Sequence, residues 1–167
     1  GFVSTREGAP QFYVLPVAGG EARKVTSVST GVSSPVWAPD SKSVVFASDV
    51  YPECGADDTC NKKIADQWSE GPLKAHMADA LLYRHWTAWK DGTRTHLLHV
   101  DVASGAVRDL TPGDVDTPAF SLGGPAQFAF SPDGKELVVE SKRVKDEALS
   151  TNNDLFLAPV TGGEARR

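Results

Sequence analysis

The chain has 167 residues, of which 40% are hydrophobic and 23% are charged, and its formal net charge is −5. The hydrophobic fraction is too high and the net charge too small for a disordered chain, and the chain lacks the basic excess of a nucleic-acid binder. No apolar run is long enough to span a bilayer, and 15 glycines with 11 prolines argue against a helical bundle. We therefore expect a mildly acidic, turn-rich, all-β domain that binds neither nucleic acid nor membrane.

Two kinds of short unit alternate along the chain, which is the pattern of a repeat architecture. One unit is an apolar strand, a glycine-containing turn and a second short strand, and the other is a hairpin around a Pro-Asp turn. Proline presets φ for such a turn, and the flanking β-branched and aromatic residues suit antiparallel strands. The strand-turn units lie at 12–26, 95–111 and 154–167, and the Pro-Asp hairpins lie at 35–48 and 128–141.

Two hairpins per repeat make a four-stranded antiparallel sheet, which is one blade of a β-propeller. The fold expected is a partial β-propeller of about three such blades, and a generic β-sandwich is the alternative. The predicted blade repeats cover 12–48, 84–141 and 154–167, with a mostly irregular or helical insertion at 50–83. Closed propellers need about four to eight blades. We therefore expect a segment of a longer protein, or an arc that closes with copies of itself as a homo-oligomer.

The insertion carries the two cysteines, Cys54 and Cys60, on either side of an acidic loop. A disulfide here would stabilise the fold by roughly 2 kcal/mol and would indicate an oxidising location, periplasmic or secreted. Two free thiols are the alternative, and they would fit a cytoplasmic protein. A zinc site is disfavoured because the other nearby ligands are only acids, and a solvated loop is favoured over a calcium site. We expect no metal and no cofactor.

The second half of the insertion predicts one short helix and an aromatic segment. Residues 71–81 place a proline at a plausible first helical position, followed by apolar residues at helical spacing. The following stretch, 81–92, is unusually rich in rings. Its candidates for lining a substrate channel are Arg84, His85, Trp86 and Trp89. The alternative is that one indole packs between blades and the other covers the insertion.

Two histidines follow in a predicted strand, His96 and His99. Residues three apart in a strand point to opposite faces, so this pair cannot chelate one ion, and we expect ordinary core or surface residues. The chain has no G-x-S-x-G sequence, no P-loop, no dinucleotide glycine pattern and no H-E-x-x-H. We expect no catalytic centre within these residues.

Several stretches resemble the N-terminal propeller of the prolyl oligopeptidase family, and bacterial dipeptidyl and acylaminoacyl peptidases are the most similar members. The resemblance covers essentially the whole chain, and its most specific part is Tyr-Arg-His-Trp-x-x-Trp together with the cysteine-bearing insertion. The matching stretches are Pro35-x-Trp-Ala-Pro-Asp-Ser, Phe46-Ala-Ser-Asp-Val-Tyr-Pro-Glu-Cys, Tyr83-Arg-His-Trp-x-x-Trp, Asp109-Leu-Thr-Pro-Gly, Phe130-Ser-Pro-Asp-Gly and Ser150-Thr-Asn-Asn-Asp-Leu-Phe.

The resemblance implies a propeller of seven or eight blades joined to an α/β-hydrolase domain, which carries the whole Ser-Asp-His triad. No residue of this chain corresponds to the triad, and the hydrolase domain is absent from it. The implied function is to gate and filter peptide substrates for that domain of a serine exopeptidase. The peptides and the hydrolase domain of the same parent chain are then the partners. The alternative function is that of a non-catalytic TolB-like propeller that binds a protein or a peptide.

Overall fold

The computed structural model describes residues 1–85, 87–120 and 126–167, and for His85 it describes the backbone only. Within these residues the chain forms one α-helix and short strands joined mainly by turns. In chain order the elements are β1 (Phe2–Ser4), β2 (Gln11–Val14), β3 (Arg23–Lys24), β4 (Ser33–Trp37), β5 (Ser43–Val50), α1 (Asp58–Glu70), β6 (Arg84–His85), β7 (Ala88–Trp89), β8 (Arg94–Asp101), β9 (Val107–Asp109), β10 (Phe128–Phe130), β11 (Glu136–Ser141), a 3-10 turn (Glu147–Leu149) and β12 (Asp154–Pro159).

The strands form three antiparallel sheets in chain order and one separate hairpin. The first sheet is β1-β2-β3, the second is β4-β5-β8-β9, and the third is β10-β11-β12, with a bridge from Leu157 to Arg166 in the position of a fourth strand. The hairpin β6-β7 lies within the long segment between β5 and β8. The expected all-β class of antiparallel sheets with little helix is confirmed.

The second sheet is buried on both faces, and its sequence shows why. Strand β5 has four consecutive apolar residues at 44–47, so alternate side chains enter two different cores. Val44 and Phe46 join the core shared with the first sheet, whereas Val45 and Ala47 join the core shared with the third sheet. All four side chains are at most 6% exposed. The three sheets are therefore packed face to face around a central, doubly covered one.

The same hydrogen bond recurs in two of the strand-turn units. The Thr26 hydroxyl accepts from the Phe12 amide at 2.9 Å, and the Thr111 hydroxyl accepts from the Leu97 amide at the same 2.9 Å. Both threonines follow the second strand of a strand-turn unit, and both receive the amide of the first strand. Each threonine therefore ties the chain leaving a sheet to a strand of that sheet.

The structure groups the units in a different phase from the predicted ranges 12–48 and 84–141. The second sheet combines the Pro-Asp hairpin at 35–48 with the strand-turn unit after it, because β5 pairs with β8 along its full length. The segment between these strands runs from 51 to 93, which is longer at its end than the predicted insertion at 50–83. The alternation of two unit types in the sequence does not show which unit begins a sheet, since either order gives four strands.

The helix predicted at 71–81 is wrong. The helix occupies Asp58–Glu70 and ends where the Gly71 amide bonds to the Gln67 carbonyl, and 71–82 is irregular. The Asp57 carboxylate caps the true start by accepting from the Cys60 amide at 3.1 Å. An Asp at the position before a helix is a strong signal for a helix start. The apolar residues at helical spacing in 71–81 drew the prediction to the wrong segment.

The connections differ sharply between the two ends of the sheets. At one end, the short-turn end, tight turns at 38–42 and 102–106 are joined by a bond from the Val102 amide to the Lys42 carbonyl, 2.9 Å. The third sheet repeats this bond between Val160 and Lys135. The opposite end, the long-connection end, carries the segments 51–93, 110–120 and 142–153. Because functional residues concentrate in long loops held by a rigid scaffold, we expect a functional site at the long-connection end.

Candidate functional site

The segment 51–93 leaves the second sheet through a loop closed by a disulfide. Cys54 and Cys60 are bonded, with their Cα atoms 5.5 Å apart. The buried Asn61 side chain accepts from the Tyr51 amide at 2.9 Å and donates to the Gly55 and Asp57 carbonyls, each at 2.9 Å. One asparagine thus satisfies three backbone groups between the strand and the helix, so the base of α1 is fixed to the sheet.

A buried histidine lies directly below this loop. His96 is 0% exposed, its Nδ1 lies 2.7 Å from an Asp109 carboxylate oxygen, and its Nε2 lies 2.8 Å from the Gly113 carbonyl. With an acceptor at each ring nitrogen, the charged imidazolium satisfies both. Burial opposes the charge, but the Asp109 hydrogen bond and charge, with the Gly113 carbonyl, outweigh it and raise the pKa of His96. Gly55 lies close above, since a Cβ there would approach Asp109 to 2.9 Å.

Residues 76–85 and 87–92, which we call the arm, form a small unit held together by stacked rings. The His76 and Trp89 rings are 4.1 Å apart and nearly parallel, and the Tyr83 ring stacks on Trp89 at 5.8 Å. The Arg84 guanidinium lies 6.0 Å from the centre of the Trp89 ring, at the limit of a cation–π contact. An isolated two-stranded hairpin is marginal in water, so these contacts to Trp89 are what order β6-β7.

One ion pair anchors the arm at its base. Lys90 Nζ lies 2.6 Å from Asp116 Oδ1, in the connection after β9, and the Asp116 side chain is only 6% exposed. The same carboxylate oxygen accepts the Thr95 amide at 2.8 Å, so it joins the arm to the start of β8. Within the arm, His76 Nδ1 lies at hydrogen-bond distance, 2.7 Å, from an Asp91 carboxylate oxygen. The arm therefore has a defined position over the long-connection end.

A cavity of about 180 Å³, which we call the arm cavity, lies between the arm and the ends of the second and third sheets. Its lining combines rings with charges of both signs, contributed by Arg84, Trp89, Arg94, Asp116, Phe120 and Glu147. Two of the charged groups are already paired, since Lys90 holds Asp116 and Asp114 holds Arg94 at 2.8 Å. A cavity of this size and mixed lining can accept one amphipathic side chain or a short piece of peptide.

The predicted channel residues fall in different places. Arg84 and Trp89 both line the arm cavity. Trp89 is 43% exposed, and its ring stacks on His76 and Tyr83. The side chain of His85 and all of Trp86 lie outside the described residues. The assignment of all four residues to a substrate channel stays a prediction.

Two further expectations concern histidines and metals. His96 faces the first-sheet core side of β8 opposite Ser48, whereas His99 pairs with Val45 on the other face, so the two rings do not converge. Among the described residues, no group of three or more His, Cys, Asp or Glu side chains could hold a metal ion. No helix in the described parts of the chain is long and apolar enough to cross a bilayer.

Sequence reasoning missed both the role of the buried His96 and the ion pair that anchors the arm, although the histidine left a signal. Gln11 donates to the Val28 carbonyl, 17 residues along the chain, at 2.7 Å. His96 bonds to the Gly113 carbonyl, also 17 residues along, so the two side chains occupy equivalent places in the repeat. Aligning the strand-turn units one residue further upstream would have marked His96 as a structural latch. The Lys90–Asp116 pair left no comparable signal.

Curated relatives of the chain are peptidases. The chain is 34% identical over 158 residues to the uncharacterised peptidase YuxL of Bacillus subtilis (strain 168), covering 93% of the chain and 22% of the relative. It is 23% identical over 168 residues to dipeptidyl-peptidase 5 of Porphyromonas endodontalis, covering 97% of the chain and 23% of the relative. The chain thus spans about a fifth of the length of these relatives. A search against family models found no match.

Solved structures show the same fold. An acylaminoacyl peptidase of Pyrococcus horikoshii matches 98% of the chain with a TM-score of 0.60 at 15% identity, over 22% of its own length. A TolB of Agrobacterium tumefaciens matches 99% of the chain with a TM-score of 0.53 at 18% identity, over 40% of its length. The resemblance to the propeller of prolyl oligopeptidase-family peptidases is confirmed. At these identities the two structures show the architecture alone, and the peptidase relationship rests on the sequence relatives.

Proposed function

We propose that the chain is the propeller portion of a serine exopeptidase of the dipeptidyl or acylaminoacyl peptidase type. In this role its three sheets are consecutive blades, and they gate and filter peptides for a separate α/β-hydrolase domain of the same parent chain. The observation that carries the proposal is the match of 93% of the chain to a peptidase that is between four and five times longer. The catalytic serine of such an enzyme then lies outside these residues.

The asymmetry of the sheets supports a gate at the long-connection end. The connections at the short-turn end, such as 38–42 and 102–106, are short and leave little surface for selecting a ligand. The long-connection end carries the loop closed by the Cys54–Cys60 disulfide, the arm and the arm cavity. We place the entering peptide against this end, with Arg84 and Trp89 among the side chains it meets. Arg84 supplies a cation and Trp89 a ring edge, which suit the carbonyl-rich backbone and the apolar side chains of a peptide.

The disulfide indicates an oxidising location outside the cytoplasm, in the periplasm or the extracellular space. We propose that the parent enzyme is periplasmic or secreted, where it meets peptides rather than nascent chains. The TolB structure supports only the fold, so a purely non-catalytic binding function has no specific observation in its favour. That function would nevertheless predict a parent protein that does not react with a serine-directed inhibitor.

The test uses the full-length parent protein and substrates of increasing size. We expect hydrolysis of a chromogenic dipeptide substrate and of short peptides, with little cleavage of a folded protein. Trp89→Ala opens the arm, so it should change the ratio of kcat/KM for a longer peptide to that for the dipeptide substrate.

The matched control is Trp68→Ala, because Trp68 on α1 is 45% exposed and Trp89 is 43% exposed. The control should leave the ratio unchanged. Equal ratios in the wild type and both variants would show that the arm takes no part in selection. Absence of any peptidase activity in the full-length protein would overturn the proposed function itself.

A further inference from the structure

Two buried serines occupy equivalent places in the second and third sheets. Aligned on their Pro-Asp turns, the two hairpins place Ser48 of β5 at the same position as Ser141 of β11. The Ser48 hydroxyl donates to the Gly31 carbonyl at 2.6 Å. The Ser141 hydroxyl donates to the Asp116 carbonyl at 3.1 Å. Each serine therefore holds the connection that reaches its sheet from the preceding sheet, which is the connection between β3 and β4 for Ser48 and the connection after β9 for Ser141.

The two connections differ in the residue that the serine holds. Gly31 has no side chain with which to make a further contact. The Asp116 carboxylate, in contrast, accepts Lys90 Nζ at 2.6 Å and the Thr95 amide at 2.8 Å. Asp116 is thus bonded to the third sheet through its carbonyl, and to the second sheet and the arm through its carboxylate. Lys90 and Asp116 also line the arm cavity, so a shift of this pair changes the space that a peptide can enter.

The bond from Ser141 is made in a fully buried junction between the second and third sheets. Ser141 and Thr117 are both 0% exposed. Thr117 Oγ1 lies 3.3 Å from Ser141 Oγ, and the Thr117 amide donates to the Thr95 carbonyl at 2.7 Å. Without the Ser141 hydroxyl, the Asp116 carbonyl loses this donor in a place where water does not replace it. The backbone at Asp116 must then move for its carbonyl to find another partner.

We propose that Ser141 is a positioning residue of the arm and acts through Asp116 and Lys90. A two-stranded hairpin such as β6-β7 is marginal by itself, so the arm takes its position from its anchor. The third sheet thereby fixes where the arm lies over the arm cavity, and the contact between the second and third sheets influences which peptides are selected. This consequence for peptides rests on the proposed function, whereas the position of the arm does not.

The experiment compares Ser141→Ala with Ser48→Ala in the full-length parent protein. Each variant removes one buried hydroxyl that donates to a backbone carbonyl, and each changes the side-chain volume little. A threonine hydroxyl also lies beside each serine, Thr117 at 3.3 Å and Thr30 at 2.7 Å. Ser48→Ala is therefore a matched control, because it weakens an equivalent connection that does not carry the arm.

Amide hydrogen exchange, measured by mass spectrometry, reports on each connection separately. The reporter in the arm is the amide of residue 90, which donates to the Tyr83 carbonyl at 3.0 Å. We expect Ser141→Ala to speed exchange there about fivefold, as the loss of one hydrogen bond predicts. Ser48→Ala should leave this amide unchanged and speed exchange in the connection between β3 and β4. Equal exchange of the arm in the two variants would overturn the inference.

A double variant tests the route through the ion pair. In Lys90→Met the pair is lost while the ring stack on Trp89 remains, so exchange of the arm can still rise if another route exists. We expect Ser141→Ala to add nothing to the exchange of the arm in this background. An added increase equal to that in the wild-type background would show that Ser141 does not act through Lys90 and would overturn the inference.

Peptide selection provides the second readout. Ser141→Ala should shift the ratio of kcat/KM for a longer peptide to that for the dipeptide substrate in the same direction as Trp89→Ala, and Ser48→Ala should not shift it. A ratio that Ser141→Ala leaves unchanged, where Trp89→Ala changes it, would overturn the inference. Hydrogen exchange does not depend on activity, so a parent protein that shows the effect on the arm but hydrolyses nothing would refute only the proposed function.

Discussion

Replacing His96 by glutamine or alanine tests the role of the buried histidine. The first sheet of the chain already has a glutamine at the equivalent position. Gln11 occupies the equivalent place in the first sheet and donates to a carbonyl 17 residues along the chain. A glutamine at 96 can therefore keep the bond to the Gly113 carbonyl. An alanine loses this bond and leaves the Asp109 carboxylate, whose side chain is 11% exposed, without its cation.

The magnitudes follow from what each variant leaves unpaired. Breaking a buried ion pair by removing one partner costs about 3–5 kcal/mol, so we expect His96→Ala to lower the free energy of unfolding by about 4 kcal/mol. His96→Gln keeps a neutral hydrogen bond and most of the volume, and Asp109 still accepts the Thr111 amide at 2.9 Å. Its cost should be about 1–2 kcal/mol, the difference between a charged and a neutral hydrogen bond.

The pH dependence distinguishes the ion pair from simple packing. The folded protein raises the pKa of His96, whose ordinary value when unfolded is about 6.5. The stabilisation is therefore fully present below pH about 6.5 and is lost as the pH rises through the higher folded pKa. Urea unfolding at several pH values between 6 and 9 should show the gap between the wild type and His96→Gln narrowing as the pH rises. A gap that is constant over this range would refute the charged assignment of His96.

Three further changes test the arm and its base by the same unfolding measurement. Asn61→Ala removes three buried hydrogen bonds and should lower the free energy of unfolding by about 3 kcal/mol, whereas Gln67→Ala on the exposed side of α1 should lower it by less than about 0.5 kcal/mol. Equal costs would contradict the role of Asn61 in fixing the base of α1 to the sheet. Cys60→Ser opens the short disulfide loop and should lower the free energy of unfolding by roughly 2 kcal/mol. Adding a reductant should not lower the stability of this variant further, and a variant that a reductant does destabilise would contradict the assigned disulfide. Lys90→Met leaves Asp116 buried without its cation and should cost about 3 kcal/mol, with faster amide exchange in the arm; unchanged exchange would show that the pair does not anchor it.

Local turn chemistry made much of the fold predictable. The Pro-Asp hairpins pair as expected, with Val36 opposite Val45 and Phe128 opposite Val139. Proline fixes φ at the first turn position, and Ser41 and Gly134 take up the positive φ that the turns need, so local residues specify these turns. The all-β class follows from the same residues, because turns at such close spacing leave room only for short strands.

Features that depend on distant contacts were not predictable from local pattern. The order of the two unit types within a sheet is set by the pairing of β5 with β8 across the whole segment 51–93, which no turn signal records. The spacing of apolar residues at 71–81 indicated a helix, yet these side chains remain exposed and the helix forms at the Asp57 cap instead. A short segment with apolar residues at helical spacing does not form a stable helix unless its apolar face packs against another surface.

The sequence predicted which residue types form the candidate site better than it predicted how those residues are held in place. The aromatic stretch at 81–92 marked the arm, and the structure places Arg84 and Trp89 beside one cavity. The residues that hold the arm in place, Lys90 with Asp116, are 26 positions apart and look like ordinary surface charges in the sequence. Only the path of the chain after β9 brings the two together.

The central claim is that this chain is the non-catalytic propeller part of a larger serine peptidase. The most direct test treats the native protein with a fluorophosphonate probe, measures its intact mass, and maps the labelled serine. We expect a mass several times 17.8 kDa, with one labelled serine outside residues 1–167, and no label on the purified chain alone. A native mass close to 17.8 kDa, or a label on a serine within these residues, would contradict the account.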